Sequence, residues 1–181
     1  MAENISRREK ADLDVIIPAA LFHDIVVYPK NSPKSKNENH ESAKLASRIL
    51  SRIKDYPKSK IPMVIESIEQ CSFKKQILPN LLEAKILQDA DGLEATGAIS
   101  IMRTFSSGGQ MNRPFYDPQD PFCQNGTTEF RSDLDLFYRR LLIVQDRMHT
   151  KHARQIAAKR TKFLRSFLSE LKSELAETGV R

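Results

Sequence analysis

Cysteine is nearly absent. Cys71 and Cys123 are the only two in 181 residues, which argues against a disulfide scaffold and fits a reducing, cytoplasmic compartment. No apolar run approaches the roughly 20 residues that span a bilayer. The opening Met1-Ala2-Glu3-Asn4-Ile5-Ser6-Arg7-Arg8-Glu9-Lys10 has no apolar core of the signal-peptide type, so neither a membrane span nor export is expected. No internal repeat is visible, and no stretch alternates convincingly between apolar and polar residues, so strands are not expected. What is present is a 40% hydrophobic chain with a net charge of +6. That is enough apolar material for one well-filled domain over 1–181. The basic balance suits polyanions, nucleotides included, but acidic residues interspersed among the basic ones make it a mild signal.

Apolar spacing gives an all-α chain. Leu13, Ile16, Ile17, Ala20 and Leu21 predict one inward helix face, with Asp12 or Asp14 as cap because Pro18 requires the helix to start nearby. Prolines at 29 and 33 then force a loop. Ala43, Ala46, Leu50 and Ile53 predict a second helix, and Pro62 suits the first turn of a third facing inward through Val64, Ile65 and Ile68. A helix is expected from Leu81 to about Phe105. Within it Asp89 and Asp91 lie about 200° apart, so only one can face a given site, and Asp91 shares its face with Leu87. Residues 106–128 read as a long functional loop anchored by Phe115, Tyr116, Phe122 and Phe130. Two helical segments over 132–175 close the chain.

His23-Asp24 ends the apolar run Val15 to Phe22, and Asp89-Ala90-Asp91-Gly92-Leu93 places further carboxylates after apolar residues. Ionised groups at the edge of a core need partners or a metal. Imidazole with carboxylates suits Mn, Fe, Co, Ni or Zn, with Mg where oxygens dominate. Ala19-Ala20-Leu21-Phe22-His23-Asp24-Ile25, Tyr28-Pro29-Lys30-Asn31 and Gln88-Asp89-Ala90-Asp91-Gly92-Leu93-Glu94-Ala95 resemble the HD-domain metal-dependent phosphohydrolases, specifically the small stand-alone bacterial ones acting on nucleotides. Gly97-Ala98-Ile99, Pro114-Phe115-Tyr116, Asp120-Pro121-Phe122, Phe137-Tyr138-Arg139-Arg140-Leu141-Leu142, Arg147-Met148-His149-Thr150 and Arg160-Thr161-Lys162-Phe163-Leu164 extend the likeness in order.

The resemblance implies an HD helical bundle with His23, Asp24 and Asp91 as ligands of one divalent metal. It implies Asp24 as the carboxylate orienting the attacking water, and Lys30 and Asn31 on the substrate side. Arg103 is a further substrate candidate, with a salt bridge as the competing reading. The implied partner is a small phosphorylated molecule, a nucleotide. Two departures accompany the likeness. The family's first ligand, a His on an earlier helix, is missing, and residues 1–6 read like the last turns of that helix. This implies weaker metal binding and either an internal start site or a true truncation. Cys71, in Gln70-Cys71-Ser72-Phe73, stands where related proteins carry His.

Bland readings compete for the other candidates. Lys34 and Lys36 suit a solvated loop as well as a phosphate. His40, His149 and His152 read as surface histidines, and Lys151, Arg154, Lys159, Arg160, Lys162 and Arg165 as the wet side of a helix, not a nucleic-acid face. The expected function is a metal-dependent phosphohydrolase impaired by the missing His. The alternative is a degenerate HD-fold binding or interaction module.

Overall fold

The computed structural model describes residues 1–29, 32–71, 78–125 and 130–179. All regular structure among them is helical: α1 (Ala2–Glu9), α2 (Leu13–Phe22), α3 (Glu38–Arg52), α4 (Ile61–Glu69), α5 (Leu82–Leu93), α6 (Gly97–Gln110), α7 (Asp133–Leu136) and α8 (Lys151–Glu177). None of these helices is long and apolar enough to cross a membrane. The backbone divides into two compact units, Met1–Asp91 with His149–Ala153, and Gly92–Met148 with Arg154–Arg181.

In the first unit α2 packs on α1, α3 and α4. Asp12 caps α2 by accepting the Asp14 amide at 2.9 Å. Pro18 lies inside this helix and cannot donate to the Asp14 carbonyl four residues back. The Tyr56 hydroxyl takes that place at 2.8 Å, so the interruption leaves no orphaned acceptor. The predicted face of α2 is corrected: Val15, Ile16 and Ala19 are buried, whereas Ile17 and Leu21 are exposed. Nine of the ten residues in Leu13–Phe22 are apolar, so periodicity could not choose a side and tertiary packing did. α3 and α4 form as expected, with Pro62 in the first turn of α4.

The helix expected over 81–105 is two helices. α5 ends at Leu93 and α6 starts at Gly97, whose φ of 75° lies in the left-handed region. Arg160 fixes this corner. Its Nη1 donates to the Leu93 carbonyl at 2.9 Å, and its side-chain carbons pass 3.1 Å from where a Cβ at Gly97 would sit. The second unit is built on Leu134, Phe137, Leu141, Leu142, Leu164 and Leu168. α6 extends to Gln110, so the irregular stretch begins later than expected. Phe115 meets the Phe105 ring edge-on at 5.5 Å and Phe122 is buried, but Phe130 is exposed.

Candidate metal and phosphate site

His23 is the C-cap of α2, which places its ring where the helix stops and the chain turns outward. Its Nδ1 lies 2.8 Å from the Ala20 carbonyl. A carbonyl only accepts, so Nδ1 carries a proton, and in the neutral ring Nε2 keeps its lone pair. Nε2 faces Asp24 Oδ2 at 3.4 Å. Backbone-anchored imidazoles of this kind are how metal-binding histidines hold their orientation. The two side chains are unequally exposed, 23% for His23 and 70% for Asp24, so a half-buried base stands beside an open carboxylate.

Asp89 and Asp91 separate by role. Asp89 is fully buried and accepts from the His149 amide at 2.7 Å, the Thr150 amide at 2.8 Å and the Thr150 hydroxyl at 2.7 Å. It therefore closes the start of α8 and has no oxygen to spare for a ligand. Asp91 is exposed, so the expected inward-facing ligand is solvent-accessible. Cys71 is 3% exposed. Burial pushes its thiol well up, and the Asp91 and Asp24 carboxylates push it further. The raised thiol stays protonated and unreactive at neutral pH.

The dyad fits a divalent ion in donor chemistry and in the aim of Nε2. The set is incomplete: among the described residues no group of three or more His, Cys, Asp or Glu side chains is gathered to hold a metal.

The remaining candidates divide. Lys30 and Asn31 lie outside the described residues. Arg103 does not continue the Asp91 helix. It sits on α6 and pairs with Glu94 at 2.7 Å, both side chains largely exposed. Lys34 stands 5.8 Å from the centre of the Tyr28 ring, and Tyr28 donates its hydroxyl to Glu41 at 2.6 Å. His149 and His152 are half-buried, not surface residues. Their Nε2 atoms lie 2.9 Å from Gln88 Oε1 and 2.9 Å from Asn4 Oδ1. Sequence reasoning missed the anchoring of His23 to Ala20, although a His three residues after a carbonyl at a helix end was a usable signal.

A half-buried, backbone-anchored imidazole beside an open carboxylate is a pair of donor types that divalent cations accept. The HD domain model matches residues 1–96, more than half of the chain. The protein belongs to the HD-domain family. An HD-superfamily hydrolase of Bacillus thuringiensis shares 30% identity and a TM-score of 0.75, covering 97% of this chain and 81% of its own. The Bacillus subtilis protein YpgQ is 29% identical over 97% of this chain and 79% of its own length. The crystal structure of YpgQ in complex with ADP matches with 28% identity and a TM-score of 0.70, covering 96% and 80%.

Proposed function

We propose that this protein is a cytoplasmic metal-dependent phosphohydrolase that cleaves a phosphate or pyrophosphate bond of a nucleotide. The observation that carries the reading is the His23 ring, protonated at Nδ1 against Ala20 with Nε2 turned to Asp24. The ADP complex of YpgQ favours a nucleotide as the bound class. His23, Asp24 and Asp91 are the groups that would hold a divalent cation. Such an ion supplies Lewis-acid polarisation of a phosphoryl oxygen. Water adds to phosphorus as the bond to the leaving phosphate oxygen breaks, and the exposed Asp24 carboxylate accepts the water's proton. From a pyrophosphate the leaving oxygen departs as a phosphate oxyanion and needs no separate acid; from a phosphate monoester it leaves as an alcohol, taking up the proton that Asp24 accepted or one from water. Cys71, kept neutral by burial, takes no part in the proton transfer. Lys30 and Asn31 carry the phosphate-side role that the family resemblance implies for them. Arg103 serves a substrate only by leaving Glu94.

A second reading, an HD-fold nucleotide-binding module without turnover, is favoured by the absence of a three-donor cluster among the described residues. Phosphate release from a panel of nucleoside di- and triphosphates in millimolar Mn separates the two. The first reading expects turnover that falls at least about 100-fold in Asp24→Ala, the scale of a lost general base. ADP binding without turnover in wild type supports the second. Turnover untouched by Asp24→Ala overturns the site.

A further inference from the structure

α3 carries two apolar stripes where the bundle uses one. Ala43, Ala46 and Leu50 face the core. Along the flank of that face Leu45, Ile49 and Ile53 recur every four residues and, with Arg48 and Arg52, line an open groove of about 410 Å³. Ile53 is 45% exposed, and Leu45 and Ile49 are half-buried. Lys54 adds cationic charge just past the end of the helix, next to Asp55. Among the described residues neither Arg48 nor Arg52 makes an ion pair or hydrogen bond. Nearby carboxylates are otherwise committed, Glu41 to Tyr28 and Asp12 and Asp14 to Lys60.

We infer that the outer face of α3 docks an acidic amphipathic helix of another protein. A branched aliphatic stripe at i, i+4 and i+8 is the ridge against which a second helix interdigitates. Two uncompensated guanidiniums at its flank select glutamate or aspartate on the incoming helix and reject lysine. A nucleic-acid backbone would leave the aliphatic stripe unused, and bases would want aromatic platforms, none of which line this groove. A membrane-surface helix would carry aromatic or longer apolar anchors.

The test uses the full chain and a fluorescein-labelled helical peptide of about 15 residues, with leucine along one face and glutamate on both flanks. A counterpart carries lysine at the glutamate positions. Fluorescence anisotropy is expected to show the acidic peptide binding about tenfold tighter than the basic one, the worth of two exposed ion pairs. That preference should vanish in Arg48→Glu/Arg52→Glu, whose far-UV circular dichroism stays wild-type, and in half-molar salt. Equal binding of both peptides, no binding of either, or a preference retained in the double variant overturns the proposal. Concentration-dependent self-association abolished by the same variant assigns the face to a second copy instead. Stronger binding to phosphatidylglycerol vesicles than to the peptide assigns it to a lipid surface.

Discussion

Lys60 shows how a single side chain ties an N-cap to a neighbouring helix. Its ammonium donates to Asp12 Oδ1 at 2.9 Å and Asp14 Oδ2 at 2.6 Å. The Lys60 bond is the main reason the Asp12 carboxyl lies below its ordinary 3.8, with the Asp14 amide helping against some burial. The same bonds push Lys60 above its ordinary 10.5. A depressed acid contributes stability above its unfolded value and loses it as pH falls through the folded one. A raised base contributes below its unfolded value and loses it as pH rises through the folded one. Lys60→Met should therefore melt lower than wild type at neutral pH. The gap should persist to mildly alkaline pH and close well below 3.8. Thermal melts across pH test this, and a gap that survives strong acid contradicts it.

Helices are joined here by polar atoms far apart along the chain. Asp89 takes three hydrogen bonds at the head of α8 from residues about 60 positions away. Asp89→Ala should cost about 3 kcal/mol, a lost cap plus buried donors left bare, read from urea denaturation. An effect below about 0.5 kcal/mol, the level of an ordinary surface change, would show that the cap does little. A second joint lies between α6 and α7. A Cβ at Gly108 would sit 1.9 Å from Asp133 Oδ2, and Asp133 is fully buried beside Arg113 at 3.5 Å. Gly108→Ala should destabilise wild type by about 2 kcal/mol through overpacking. In an Asp133→Ala background it should instead stabilise by up to about 1 kcal/mol, the helical preference of alanine over glycine. Additive effects in the four-membered cycle would refute the clash.

These joints mark the limit of reading from sequence. Helix existence was legible in α3 and α4, where Ala43, Ala46, Leu50 and Pro62 agree with the packing, although Ile53 ends exposed beyond α3. The face of α2 was not, because an almost wholly apolar segment has no polar side to rule out. The break at Gly97 was hidden because Arg160, which completes it, lies on a helix more than 60 residues on. The dyad stood out because His-Asp after a buried run is chemically costly. The split between Asp89 and Asp91 could be reasoned from helical angle, but not that Asp89 would be spent on α8.

At the scale of the molecule, two compact units share one chain, and the candidate site belongs to the first. Family membership rests on the match over residues 1–96 and on structural relatives across nearly the whole chain. The proposed chemistry rests on far fewer atoms. It requires His23, Asp24 and Asp91 to hold a cation together although no three donors are gathered among the described residues. Binding must then draw the exposed Asp91 carboxylate toward the dyad. Titration of the purified chain with Mn, followed by the loss of the free-ion electron paramagnetic resonance signal, addresses this directly. The account predicts uptake of one ion per chain, with His23→Ala and Asp91→Ala each weakening it at least about tenfold, the lower bound even for residues that only support a ligand. Wild type and both variants titrating alike, or no uptake by the folded chain, would contradict it.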